Sequence, residues 1–165
     1  MSSKTLLFVL MGLLLVPLAL MAATMASGTV VCAKAETGKE SMMEIQPGHA
    51  YSMSQVKCNW TKPMEVGGTK STAGVATGFD DITGNTSKGH GTYVDTMANG
   101  DTFVYTFMST GALKDGKLQT ATDTWTLESV TGKLKGTKGH GSCKGTGGAD
   151  GSITWDCQGS YDVPK

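Results

Sequence analysis

The sequence predicts an all-β fold: an antiparallel, closed or nearly closed barrel of about eight strands, preceded by a signal peptide. Beyond residue 26, β-branched and aromatic residues alternate with Thr, Ser and Lys at a period of two, and no 3.6-residue periodicity persists over a helix length. The chain carries 23 Gly and only 4 Pro, with Gly-Asn and Asp-Gly pairs punctuating the apolar runs. So many strands in one domain would expose sticky edges unless the sheet closed on itself, which favours a barrel over an open sandwich.

Residues 1–26 have the order of a secretory leader. Lys4 gives a short positive region, Leu6–Ala22 is almost wholly apolar, and small residues follow at Ala22, Ala23, Ala26 and Ser27. Cleavage after Ala26, with Thr24 and Ala26 at the small-residue positions, is preferred; cleavage after Ala23 is nearly as suitable. An uncleaved anchor is the alternative, because the apolar run approaches the roughly 20 residues that span a bilayer. Pro17 and the small residues after it favour cleavage. Residues 27–165 then form one domain, with no membrane association once the leader is gone. Export places it in the periplasm or outside the cell, an oxidising setting where cysteines pair.

Strands are expected at Thr29–Ala35, Ser41–Gln46, Tyr51–Trp60, Met64–Val66, Val75–Ile82, Gly91–Met97, Asp101–Leu113, Thr120–Glu128, Gly136–Gly147 and Gly151–Tyr161. Two hairpins can be put in register. A three-residue loop Ala149-Asp150-Gly151 closes the last one and sets Lys144 opposite Asp156, Thr146 opposite Thr154 and Cys143 opposite Cys157. Ile153, Trp155, Cys157 and Tyr161 then share the inner face. In the other hairpin, Ala98-Asn99-Gly100 as a three-residue loop gathers Tyr93, Met97, Phe103, Tyr105 and Phe107 on one face and leaves Thr and Val on the other. The same tetrapeptide, Lys-Gly-His-Gly, occurs near both hairpins at Lys88–Gly91 and Lys138–Gly141, which hints at a duplicated strand–turn–strand unit.

Thr131-Gly132-Lys133-Leu134-Lys135-Gly136, with Gly139 and Gly141, resembles the glycine-rich turn of the allene oxide cyclase and dirigent-like β-barrels. Val130 stands where those proteins often have Gly. The resemblance spans Gly89–Tyr161 and implies an eight-stranded barrel with a hydrophobic cavity. No catalytic residue of the cyclases has a matching position.

Several function classes recede. Lysine and acidic residues balance at 14 each and Arg is absent, which excludes the basic, Arg-rich surface of a nucleic-acid binder. No phosphate-cradling loop or nucleophile elbow is present, and no cofactor is expected. Cys32, Cys58, Cys143 and Cys157 lack zinc-site spacing. Cys143 and Cys157 are expected to bridge across the last hairpin, which leaves Cys32 to pair with Cys58 by elimination; free buried thiols are the alternative. His49, His90 and His140, in presumed loops or strand starts, are read as solvated residues rather than metal ligands, and Met42, Met43, Met53, Met64, Met97 and Met108 as adaptable core filler.

Two carboxylates stand out. Asp95 shares the period-two face of Tyr93 and Met97, and Asp123 that of Ala121, Trp125 and Leu127. Inside a barrel, burial would raise their pKa values and allow acid/base work or the orienting of a polar ligand group; the alternative is a rim position. The expectation for function is an exported barrel that binds a small apolar ligand, with Tyr93, Phe103, Tyr105, Trp125 and Trp155 as lining residues, or that serves a structural envelope role. The alternative is a cyclase- or isomerase-type enzyme using Asp95 or Asp123.

Overall fold

A computed structural model describes residues 23–164; most of the expected leader, residues 1–22, lies outside them. Ten strands follow one another: β1 Thr24–Cys32, β2 Glu40–Gln46, β3 His49–Lys62, β4 Glu65–Val66, β5 Thr69–Thr83, β6 Thr86–Met97, β7 Thr102–Lys114, β8 Lys117–Val130, β9 Lys138–Gly147 and β10 Ile153–Asp162. All ten expected strands are present, most of them longer at one or both ends than the sequence pattern indicates. Every pairing is antiparallel.

Eight of the strands close a barrel in the order β1-β10-β9-β8-β7-β6-β5-β3, with β3 returning to β1. β1 holds the seam, pairing with β10 along its whole length and with the far end of β3 through Thr29–Cys32. The other end of β3 runs on past β1, and there β2 takes over the same edge, with Met42 opposite Ser52 and Met43 opposite Tyr51. The short β4 pairs with the start of β5.

Both hairpin registers are as expected. Asp156 pairs with Lys144 and Cys157 with Cys143 across a loop closed by the Gly148 N–H donating to the Ser152 carbonyl at 2.7 Å. Gly151 there has φ 86°, the left-handed position such a loop demands. Around Asn99, Thr96 pairs with Thr102 and Tyr93 with Tyr105, and the Met97 N–H donates to the Asp101 carbonyl at 2.9 Å.

The two disulfides are Cys143–Cys157, between β9 and β10, and Cys32–Cys58, across the β1–β3 seam, with Cα separations of 4.0 and 3.9 Å. Both lie on directly opposed residues, where antiparallel strands bring Cα atoms close enough to bridge.

The interior is filled by large rings set against glycines. A Cβ on Gly145 would lie 2.7 Å from the Trp155 ring, one on Gly139 2.6 Å from Tyr161, and one on Gly74 2.5 Å from Tyr93; Trp125 fills the space over both Gly141 and Gly159. A small barrel has room for one layer of interior side chains, so a ring on one strand requires an empty position across from it.

Two readings of the sequence need correction. Of the methionines taken as core filler, Met64 and Met97 are buried, whereas Met42, Met43, Met53 and Met108 are exposed. Met53 and Met108 occupy outward positions of β3 and β7, and β2 is exposed along both faces. Of the histidines expected in loops or at strand starts, His49 does stand at a strand start, whereas the other two lie within strands. His90 and His140 lie within β6 and β9 on the outer wall, and His49 opens β3, its ring 3.0 Å from Asp81 Oδ1.

Gly159→Ala should cost about 1–3 kcal/mol of stability by overpacking against Trp125. Gly78→Ala, whose Cβ would meet nothing nearer than 3.6 Å, should change stability by less than about 1 kcal/mol. Denaturant unfolding of the two variants checks this; equal effects would contradict the ring-over-glycine packing.

Candidate functional site

The barrel is sealed at one end and open at the other. At the sealed end Phe103, Met97, Met64, Val66 and Val130 are buried, and Leu134, from the turn after β8, packs against them. That turn is held by the Thr131 N–H donating to the Thr102 carbonyl at 3.0 Å and by the Thr102 N–H donating to Thr131 Oγ1 at 2.8 Å. Gly132 has φ 65°, and a side chain there would collide with Asp101.

Midway along the axis, rings form a floor. Tyr93 stacks on Tyr105 with centroids 6.1 Å apart, Tyr105 meets Trp125 edge-on at 5.3 Å, and Trp125 lies against Tyr161 at 5.5 Å. The Tyr105 and Tyr161 hydroxyls are 3.2 Å apart, and the Tyr161 hydroxyl donates to Met64 Sδ at 3.0 Å. Burial drives the ionisation of Tyr93, Tyr105 and Tyr161 upward, so all three remain neutral donors.

Asp95 anchors this floor from below. It is fully buried; its Oδ1 accepts from Trp60 Nε1 at 2.9 Å and from the Tyr93 hydroxyl at 3.4 Å, while Oδ2 has no partner. Burial raises its pKa to about 6, against the opposing influence of Ser71, Trp60, Tyr93 and the Thr96 backbone. The Ser71 hydroxyl itself is directed at Met97 Sδ, 3.8 Å away.

Above the floor is a cavity of about 610 Å³, open at the end where β1, β7 and β9 finish. Its walls include Val30, Val56, Trp60, Phe107 and Trp155, together with Cys32, Cys143 and Cys157, so both disulfides border it. Asp123, on β8, also lines it. Its Oδ1 accepts the Cys143 N–H at 3.0 Å, and burial raises its pKa to about 6 against that hydrogen bond.

The expected site residues therefore divide. Tyr93, Tyr105, Trp125, Trp155 and Asp123 border one cavity. Phe103 does not: paired with Asp95 and Val130 and fully buried, it belongs to the sealed end beneath the floor. Asp95 is inward, as expected, but on the sealed side as well, so the two carboxyls are not brought together in one open site.

Trp60 and Asp80 line the cavity without having been singled out in the sequence. The stretch Gly78-Phe79-Asp80-Asp81-Ile82 has polar and apolar residues in both phases and assigns no inner face by itself. The overlooked signal is the two-residue Gly84-Asn85 turn, which pairs Thr83 with Thr86 and carries the β6 alternation onto β5, turning Asp80 in and Phe79 out. Burial raises the Asp80 pKa, partly opposed by the charge of His90 on the neighbouring strand. Among the described residues, no cluster of His, Cys, Asp and Glu is placed to hold a metal ion.

The raised Asp95 pKa has a consequence for stability. The folded state holds the proton more tightly than the unfolded chain, whose carboxyl titrates near 3.8, so stability is highest below that value and falls as pH rises through about 6. The difference is on the order of 3 kcal/mol above pH 7. Asp95→Asn should raise the thermal midpoint at about pH 8 while leaving it nearly unchanged at about pH 4; an equal shift at both values would contradict the assignment. Compared with protein-family models, with curated proteins and with solved structures, the chain matches none.

Proposed function

We propose that the protein is an exported, non-enzymatic carrier that takes a small, largely apolar ligand into the open half of its barrel. The observation that carries this reading is the cavity of about 610 Å³, walled by apolar and aromatic groups and ending on a floor of interlocked rings. Pockets of this size and lining bury most of a small molecule's surface. A barrel meant only to be structural gains nothing from an interior left open on one side while the other is sealed.

Export, to the periplasm or outside the cell, accords with the two disulfides, which persist in oxidising compartments. The strand geometry favours leader cleavage after Ala23 over cleavage after Ala26. Thr24, Met25 and Ala26 pair with Tyr161, Ser160 and Gly159 of β10, and the later cut would remove that end of the seam. Mass spectrometry of the secreted protein should find Thr24 first; a chain beginning at Ser27 would reject this.

Kinship with the allene oxide cyclase and dirigent-like barrels remains a proposal, supported by the turn at Thr131–Gly141 and by closure at eight strands. A cyclase- or isomerase-type activity would fall to Asp123, the sequence-expected carboxyl that borders the cavity.

A neutral fluorescent apolar probe, Nile red, should bind saturably with enhanced emission. Gly78 lines the cavity and admits a Cβ without a clash, so Gly78→Leu should narrow the pocket beside Phe107, keep the fold and weaken probe binding at least about tenfold. Unsaturable binding, or binding indifferent to Gly78→Leu, would reject the carrier reading.

A further inference from the structure

One residue pair nearer the mouth than Phe107 and Trp125, the cavity wall changes character. Ser52 on β3 stands opposite Asp80 on β5, Asp80 opposite Gly89 on β6, Gly89 opposite Ser109 on β7, and Ser109 opposite Asp123 on β8. This is one continuous cross-strand row on the inner face, and its four polar side chains all line the cavity. Gly89 supplies room for two of them, Asp80 and Ser109. A Cβ there would lie 2.5 Å from Asp80 Oδ1 and 2.6 Å from Ser109 Oγ, so the two polar ends lean over it from either side. Ser52, at 7% exposure, and Ser87, at 8%, turn hydroxyls to the cavity that no side chain among the described residues engages.

Among the described residues, no cation forms an ion pair with either carboxyl. The ion pairs among the described residues are His49–Asp81, Lys57–Glu36 and Lys70–Glu65, none of which involves Asp80 or Asp123. The lysines of the lining, Lys34 and Lys117, are exposed residues of the mouth, in the loop after β1 and at the start of β8. Immediately deeper lie the rings of Phe107 and Trp125, opposite one another on β7 and β8. Carboxylates with no ion-pair partner beside aromatic faces favour one ligand class: a cation is attracted to both, an alcohol can donate a hydrogen bond to the carboxylate but brings no opposite charge, and an anion is repelled.

We propose that the cavity selects an apolar amine in its protonated form, with the ammonium drawn to the row that carries Asp80 and Asp123 and the apolar body against Phe107 and Trp125. This deepens the carrier reading and rests on it. The neighbouring hydroxyls of Ser52 and Ser109 complete the ammonium's hydrogen bonds. Because burial raises both carboxyl pKa values, that of Asp123 to about 6, acid should weaken the selection as the carboxyls take up protons. His90, on the outer wall beside Asp80, opposes that rise for Asp80, and the Cys143 N–H opposes it for Asp123.

Titration calorimetry with octylamine, octanol and octanoate at about pH 7.5 compares three head groups on one chain. Octylamine should bind at least about tenfold tighter than octanol, with octanoate weakest. In Asp80→Asn/Asp123→Asn, octylamine should fall to within about twofold of octanol while octanol affinity is kept, which also reports that the cavity is intact. Should the double variant not fold, each single Asn variant should lose part of the preference. If octanol binds and octylamine binds no tighter, amine selection is overturned and the carrier reading stands. If none of the three binds, the carrier reading fails and this proposal with it.

Discussion

The width of an eight-stranded barrel governs this structure. Its interior accepts one layer of side chains, and this sequence places rings on several of its strands. Several of these rings are admitted by glycines on nearby strands: Tyr93 by Gly74, Phe107 by Gly91, Trp155 by Gly145, Tyr161 by Gly139 and Trp125 by the pair Gly141 and Gly159. The glycine richness of the chain thus has a second cause besides turns. Trp125 shows the constraint most fully, because it fills positions on β9 and β10 and also touches both Tyr105 and Tyr161.

The rings divide the interior into two compartments of different chemistry. Beneath the floor, the space is filled by Phe103, Met97 and Val130, and the carboxyl of Asp95 serves the floor itself, holding Trp60 and Tyr93 by hydrogen bonds. Above it, the walls end in an open cavity whose polar groups have few partners. The two disulfides sit at the strands that complete the barrel, one at the β1–β3 seam and one between β9 and β10. Cross-links there hold the wall of the open half. The turn at Gly132–Leu134 works at the opposite end, sending Leu134 in against the core.

Much of this was legible in the sequence, and the gaps have identifiable causes. Hairpins with short loops fix their own register, so Cys143 facing Cys157 and Tyr93 facing Tyr105 followed from the turn residues and the pleat. Cys32 facing Cys58 could be reached only by elimination, because those strands meet through barrel closure and no turn links their register. Depth along the axis was illegible for the same reason. Alternation shows that Phe103 and Asp95 point inward, but the stagger of the closed sheet decides that both fall beneath the floor. Met108 was taken as core filler because it is apolar, although the alternation that turns Phe107 inward puts it on the outer wall.

The division of the barrel into a sealed and an open half is tested most directly by intermolecular nuclear Overhauser effects between the protein and bound octanol. Contacts from the alkyl chain should reach the rings of Trp125, Tyr105 and Trp155 and be absent for Phe103 and Val130. Contacts to Phe103, or contacts confined to the outer-wall residues Met53, Phe79 and Met108, would contradict it.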